Sequence, residues 1–211
     1  MKFPSLTDYE KAVSKGGESF NTLDIKFQLF KEKPFKLYMY GCGQFAIVFK
    51  GEIKGKNYAI RCFQQATKDS LNRYKALDSY LGKKKLDWLC KFEFIPDEIS
   101  VNNKKYPVLL MDWVQGMNLQ DYVSSNLNNK KKLTELQFEF VNLSKKLEKN
   151  KIGHGDIQDA NILINDSEKS IKLRLIDYDG MFVPELEGLN ATELGKPAYQ
   201  HPNRSYKNFN E

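Results

Sequence analysis

The stretch IGHGDIQDANILI, residues 152–164, decides the fold because it sets a polar loop between two apolar anchors. Ile152 precedes the polar group, and the apolar run 162–164 follows it. One His, two Asp and one Asn are too many polar groups for a buried strand, and an ordinary surface loop needs no apolar residues at both ends. We interpret the stretch as a loop fixed to a core, which is how a scaffold holds reactive groups in place.

The composition is that of a folded chain, one large domain or two small lobes. The 211 residues are 41% hydrophobic and 13% aromatic, which excludes a globally disordered protein. Cys42, Cys62 and Cys90 form no CxxC pair and the two histidines are far apart, so neither a disulfide framework nor a zinc site is expected. We expect a cytoplasmic protein, because no segment could span a bilayer and the N-terminus lacks an apolar signal-peptide core.

The net charge of +6 raises the question of a phosphate-rich partner. Lysines of the chain cluster at residues 83–85, 104–105, 130–132 and 145–146. These clusters are far apart and lack interleaved aromatic residues, so they are typical of solvated turns and helix ends, and nucleic-acid binding is not favoured.

Strands dominate the first half of the chain and helices begin the second. From Phe35 the pattern predicts strands, with one hairpin on either side of residues 54–56 and another on either side of 102–103. Between these hairpins a helix is predicted from Asp69 as N-cap. After Gly116 we expect a short helix, a long helix with apolar residues from 133 to 147, and two strands, ILI and IKLRLID. The sequence therefore predicts an α+β fold.

Four short patterns carry possible chemistry. GCGQFAIV (41–48) is a glycine-rich turn that could let backbone N–H groups approach phosphate oxygens, and YAIR (58–61) places Ala59 and Arg61 on one face of a strand. In the polar loop an aspartate and an asparagine lie five residues apart. The carboxylate could accept a hydroxyl proton, and the amide oxygen could bind a hard cation. LIDYDGMF (175–182) sets a carboxylate and a glycine at a strand end. Taken singly, each pattern is equally typical of ordinary turns, a snorkelling arginine and a core histidine.

Their order along the chain resembles the protein kinase superfamily. The kinase pattern is a Gly-rich loop, a strand V-A-I-K, a catalytic H-R-D-x-x-x-x-N and then D-F-G. This chain has Gly41-x-Gly43, the YAIR strand, His154-Gly155-Asp156 with an Asn five residues later, and DYDG at 177–180. LLMDWVQG (109–116) resembles a kinase hinge. The resemblance covers roughly residues 35–202 and is strongest to bacterial protein-kinase-like domains with HGD and IDYDG, while HGD also resembles aminoglycoside and choline kinases.

The resemblance implies a two-lobed kinase-like fold with an antiparallel-sheet N-lobe and a helical C-lobe that ends early. Residues 1–34 would be an N-terminal extension, 35–113 the N-lobe and 114–211 a partial C-lobe. It implies ATP and Mg²⁺ as cofactors, and transfer of the γ-phosphate to a hydroxyl of a protein Ser/Thr or a small molecule. The residues implied to contact the nucleotide are Gly41, Gly43, Val48, Ala59, Arg61, Met111, Asp112 and Val114.

Within the polar loop the resemblance makes Asp156 the base or orienter of the acceptor hydroxyl. It makes Asn161 and Asp177 the Mg²⁺ ligands, with Asp179 as a second candidate. Gln158 stands where protein kinases have a lysine that touches the γ-phosphate.

Arg61 and Ala46 also depart from the kinase pattern, standing where it has the strand lysine and the third glycine. We expect Arg61 to bind phosphate as a fork, with Asp78 of the predicted helix as its partner. The alternative is a pseudokinase, a nucleotide- or protein-binding module on the same scaffold. The changed positions favour it, and the retained Asp156, Asn161 and Asp177 favour an enzyme.

Overall fold

The computed structural model describes residues 2–31, 37–38, 40–43, 45–66, 68–167 and 170–206. They form a mixed α+β fold with two compact units, Met1–Asp78 with Lys91–Trp113 and Ser79–Cys90 with Val114–Glu211. No helix in the described ranges is long and apolar enough to cross a membrane. The predicted onset of strands at Phe35 lies outside the described residues.

The first unit is built on an antiparallel sheet of six strands in the order β1-β5-β6-β8-β7, with β4 also paired to β5. Strands β2 and β3 pair with each other as a separate two-stranded antiparallel sheet. In chain order the strands are β1 (Lys26–Phe27), β2 (Leu29–Lys31), β3 (Leu37–Tyr38), β4 (Tyr40–Cys42), β5 (Ala46–Ile53), β6 (Lys56–Phe63), β7 (Phe92–Val101) and β8 (Lys104–Asp112). Both predicted hairpins are confirmed, as β5–β6 and β7–β8.

Local turn chemistry sets both hairpins. The β5–β6 turn has Lys54 at φ +49° and Gly55 at +79°, and the β7–β8 turn has Asn102 at +49° and Asn103 at +62°. Two successive residues with positive φ match the twist of the flanking strands, and Gly and Asn reach that conformation most easily. The register of the two long hairpins therefore follows from residues adjacent in sequence.

The N-terminal residues, for which the sequence predicted only an extension, contribute a helix and two short strands to this unit. Helix α1 (Leu6–Ser14) begins with a capping box, in which Ser5 and Asp8 satisfy each other's backbone N–H groups. Tyr9 of α1 is fully buried and its hydroxyl donates to the carbonyl of Phe63 (2.7 Å). Strand β1 extends the sheet by pairing with β5.

Helix α2 (Lys68–Leu81) buries Tyr74 and Leu77, and its last residues cluster with the second unit. Asp69, predicted as the N-cap, lies inside the first turn, because the helix already includes Lys68.

The second unit combines two helices with a small antiparallel sheet in the order β11-β10-β9. Its elements are β9 (Met117–Asn118), α3 (Leu119–Ser125), α4 (Lys130–Lys149), β10 (Ile162–Asn165) and β11 (Lys172–Leu175). The predicted apolar stripe of α4 is confirmed by its most buried members, Leu136 and Leu143. Helix α4 begins at Lys130, three residues before the first residue of that stripe, because Asn129 caps it by accepting from the N–H of Lys132 (3.1 Å).

Candidate active site

The polar loop is joined to residues 176–182 through backbone hydrogen bonds. Gly153 and Phe182 exchange two of them, with N···O distances of 3.1 and 2.7 Å. The N–H of Ile176 donates to the carbonyl of Asn161 (3.0 Å), and Nε2 of His154 lies 3.0 Å from the carbonyl oxygen of Ile176. The loop and the segment after β11 therefore hold each other in one arrangement.

His154 serves this arrangement as a neutral, buried side chain. It is 2% exposed, and burial lowers the pKa of its imidazole to about 4. Because Nε2 faces a carbonyl, that nitrogen carries the hydrogen. The ring also meets Tyr178 edge-on, with centroids 6.0 Å apart. His154 is therefore a core histidine, the ordinary alternative named above, and it positions the loop.

The two carboxylate oxygens of Asp156 differ in their hydrogen bonding. Its Oδ2 accepts from Nε2 of Gln158 (2.6 Å) and from Nδ2 of Asn161 (2.8 Å), and Nδ2 of Asn161 also donates to the Asp156 carbonyl (2.9 Å). Its Oδ1 is buried and makes no hydrogen bond within the described ranges. The whole residue is only 7% exposed. The loop thus fixes Asp156 through one oxygen and leaves the other, buried oxygen without a hydrogen-bond partner.

Gly155, between His154 and Asp156, is required by the backbone. Its φ is +80°, and a Cβ built there would overlap the carbonyl oxygen of Gly180 and lie 2.7 Å from its carbonyl carbon. A side chain would push apart the polar loop and the DYDG turn. The structure therefore explains the HGD sequence, because an arginine between His154 and Asp156 would not fit.

Asp177 directly follows Ile176, which bonds to both His154 and Asn161. Its φ is +63°, a conformation that costs most L-residues energy and that the surrounding structure must enforce. The side chain of Asp177 is exposed. Asp156, Asn161 and Asp177, predicted from motifs, thus lie on two segments that are joined to each other.

In the first unit, strand register brings four of the predicted nucleotide contacts onto one sheet face. Val48 is opposite Arg61, and Ala59 is opposite Met111. Opposed residues share a face, and so do alternate residues such as Ala59 and Arg61. Arg61 and Met111 are buried, while Val48 and Ala59 are half-buried.

Arg61 pairs with helix α2, but not through the predicted residue. Its guanidinium donates to the hydroxyl of Tyr74, and it lies over the rings of Phe63 and Tyr74 at 5.8 and 5.7 Å. Asp78 instead accepts from the N–H of Phe94 (3.4 Å), and burial raises the pKa of its carboxyl. Asp78 lies a turn further along α2 and faces β7.

The glycine-rich turn has no structural requirement for its two glycines within the described residues. Gly41 is opposite Val48, and the N–H of Gly43 donates to the carbonyl of Ala46 (2.9 Å). Neither glycine has a positive φ, and a Cβ on Gly41 would meet nothing within 4 Å. The tip residue, Gln44, lies outside the described residues.

The two predicted hinge residues differ in how their backbones are used. The N–H of Asp112 donates to the carbonyl of Lys91 (2.8 Å), and the Asp112 carboxylate bonds Nζ of Lys56 (2.6 Å). The peptide groups of Val114 make no hydrogen bond within the described part of the chain. Val114 can therefore offer both a donor and an acceptor.

Sequence reasoning missed the contribution of segment 191–200. A Cβ on Gly195, whose φ is +71°, would lie 2.7 Å from Oδ1 of Asp156. Nζ of Lys196 bonds Oδ1 of Asp159 at 2.7 Å. The sequence GKPAYQHP marked only the end of the resemblance. Its one local signal is a glycine followed by a lysine and a proline.

Among the described residues, no three His, Cys, Asp or Glu side chains cluster in a way that could hold a metal ion by themselves. The available donors are oxygens, the Asn161 amide and the Asp177 carboxylate, which suit a hard cation whose other ligands are phosphate oxygens and water. No family model and no curated protein matches this sequence.

Proposed function

We propose that this protein is an ATP-dependent phosphotransferase with a protein-kinase-like fold, which transfers the γ-phosphate of ATP to the hydroxyl of a protein Ser/Thr or a small molecule. The observation that carries the proposal is the asymmetric Asp156 carboxylate. Its Oδ2 is fixed by two amide donors, and its Oδ1 is buried without a partner.

A buried acceptor without a partner costs about 1–3 kcal/mol, and more when it is charged. Native structures rarely keep such a group unless something else uses it. An acceptor hydroxyl is a suitable partner, because Oδ1 can accept its hydrogen while the hydroxyl oxygen attacks phosphorus. The new bond joins that oxygen to the γ-phosphorus, the bond to the β–γ bridging oxygen breaks, and the hydroxyl proton goes to Asp156.

Two oxygen donors support a place for Mg²⁺ beside Asp156. Nδ2 of Asn161 is committed to Asp156, so the amide oxygen of Asn161 is the atom left for a cation. Asp177 follows Ile176, whose N–H bonds the Asn161 carbonyl. Asn161 and Asp177 would hold Mg²⁺, which when bound would neutralise charge on the ATP phosphates.

All of the proposed nucleotide contacts except Val114 belong to the first unit. Gly41 and Gly43 would let backbone N–H groups approach the phosphates, which would account for glycines that neither φ nor packing requires. Arg61 would bind the α- and β-phosphates with N–H groups of its fork, while Val48 and Ala59 would pack against adenine. The carbonyl of Asp112 and the peptide groups of Val114, together with Met111 beside them in sequence, would complete the adenine site.

A nucleotide-binding module without transfer, a pseudokinase, is the second candidate. One observation favours it. Gln158 stands at the position of the expected lysine, and its side-chain amide donates a hydrogen bond to Asp156. A neutral amide there cannot neutralise phosphate charge. The enzyme and the module share nucleotide binding and differ only in turnover.

Thermal unfolding with nucleotide tests the shared claim. Mg²⁺ with ATP should raise the melting temperature of the wild type more than ATP with a chelator, and ligand at 100 times its Kd adds about 2.7 kcal/mol. Asp177→Asn should lose the Mg²⁺-dependent part of the shift. Asp166→Asn is the matched control, since Asp166 is an exposed aspartate of the second unit paired with Lys132 (2.6 Å). A folded wild type that no nucleotide stabilises would refute the proposal.

A further inference from the structure

The polar loop brings no positive charge to Asp156. Residues 152–164 contain neither Lys nor Arg, and His154 is neutral because burial lowers its pKa to about 4. The two donors to the Asp156 carboxylate, Gln158 and Asn161, are uncharged amides. Phosphoryl transfer depends mainly on positioning and on stabilising negative charge, so a cationic side chain that acts here beside Mg²⁺ has to come from another part of the chain.

Segment 191–200 brings such a cation to the loop. Gly195 lies against Asp156, since a Cβ on it would be 2.7 Å from the unpartnered Oδ1. Lys196 is the next residue, and its Nζ is 2.7 Å from the Asp159 carboxylate, within the same loop. The hydrogen bond to Asp159 is the main cause that raises the pKa of Lys196, and attraction to Asp156 adds to it.

We propose that Lys196 is the cation that binds the transferring phosphate, and that it supplies from segment 191–200 the charge that position 158 lacks. The inference rests on the proposed function. An ammonium on a four-carbon stem can turn from one anion to another, and the side chain of Lys196 is 51% exposed. Without a phosphate the ammonium bonds Asp159, and a phosphate, with more negative charge, would replace Asp159 as its partner.

Isothermal titration and a transfer assay measure the effect of Lys196→Ala. The wild type should bind Mg·ATP more tightly than Mg·ADP, and Lys196→Ala should reduce that preference by about tenfold. Transfer should fall by about 10²-fold or more, the scale for loss of one electrostatic contact. Lys132→Ala is the matched control, because it removes an equally short and exposed lysine–aspartate pair (2.6 Å, to Asp166) and should change neither quantity.

Two further variants separate a phosphate contact from a structural tie. If Lys196 only fastens its segment, Asp159→Asn should be as harmful as Lys196→Ala. If it binds phosphate, Asp159→Asn should keep transfer within about threefold of the wild type. Adding Gln158→Lys to Lys196→Ala should then restore most of the lost rate, since the new lysine stands two residues from Asp156.

The outcomes distinguish this inference from the proposed function. Unchanged ATP preference and transfer in Lys196→Ala would overturn the role of Lys196 and leave the proposed function standing. A wild type that binds no nucleotide would overturn both. If the wild type binds ATP without turnover, the affinities still test the role of Lys196. Lys196→Ala must then reduce the preference for ATP over ADP, and an unchanged preference would overturn that role.

Discussion

Gly155→Ala tests the close approach that holds the polar loop against the DYDG turn. Only one methyl group is added, and it would point at the backbone of Gly180, where the carbonyl carbon would lie 2.7 Å away and the Cα 3.1 Å away. Backbone atoms cannot turn aside as a flexible side chain can. The loop and the turn must therefore separate, or the chain must lose stability.

The magnitude has two parts, and a second glycine separates them. Gly155 has φ +80°, and a left-handed conformation costs an L-residue about 1–2 kcal/mol. Overpacking adds about 1–3 kcal/mol, so the free energy of unfolding should fall by about 2–5 kcal/mol. Gly188 has φ +83° with nothing within 4 Å of a built Cβ, so Gly188→Ala should lose only the conformational part, about 1–2 kcal/mol.

Urea unfolding followed by tryptophan fluorescence can report on the second unit alone. The chain has two tryptophans, Trp113 in the first unit and the buried Trp88 in the second. In a Trp113→Phe background, Trp88 follows the unit that contains both glycines. Equal losses for Gly155→Ala and Gly188→Ala would refute the close approach of Gly155 to Gly180.

Three further predictions concern buried groups. Stability should fall as the pH drops from 6.5 towards 4, by up to about 3 kcal/mol, because the unfolded chain protonates His154 while the folded protein keeps it neutral; His154→Gln should flatten urea midpoints over that range. Cys62 and Cys90 should resist alkylation in the native protein, since both are buried and burial raises the pKa of the Cys62 thiol; modified peptides in mass spectra would contradict this. Arg61→Ala should weaken ATP binding by about 1–3 kcal/mol and Arg61→Lys should not improve it, and titration should show Tyr74→Phe coupled to Arg61→Ala, whereas additive effects would exclude the pair.

The elements that the sequence predicted well are those set by neighbouring residues. The hairpin turns at Lys54-Gly55 and Asn102-Asn103 adopt positive φ, so residues adjacent in sequence determine how the flanking strands pair. Helix α1 and strands β1 and β2 were missed because they are short and carry little periodic signal. Helix α4 extends beyond its predicted apolar stripe because Asn129 caps it before the first apolar residue.

In the candidate site, too, contacts between residues close in sequence could be predicted and contacts between distant residues could not. Asp156 and Asn161 are five residues apart in one loop, so their hydrogen bond could be anticipated from spacing. The partner of Arg61 could not, because the rotation of α2 decides whether Tyr74 or a residue one turn away reaches it. The contact of Gly195 with Asp156 joins parts of the chain distant in sequence, so only the folded structure reveals it.

Transfer of labelled γ-phosphate from ATP by the wild type and by Asp156→Asn, with nucleotide affinity measured for both, tests the central claim most directly. If Oδ1 of Asp156 accepts the hydroxyl proton, the transfer rate should fall by about 10²-fold or more while the affinity for Mg·ATP stays within about twofold. Equal transfer rates for the two proteins would contradict the account.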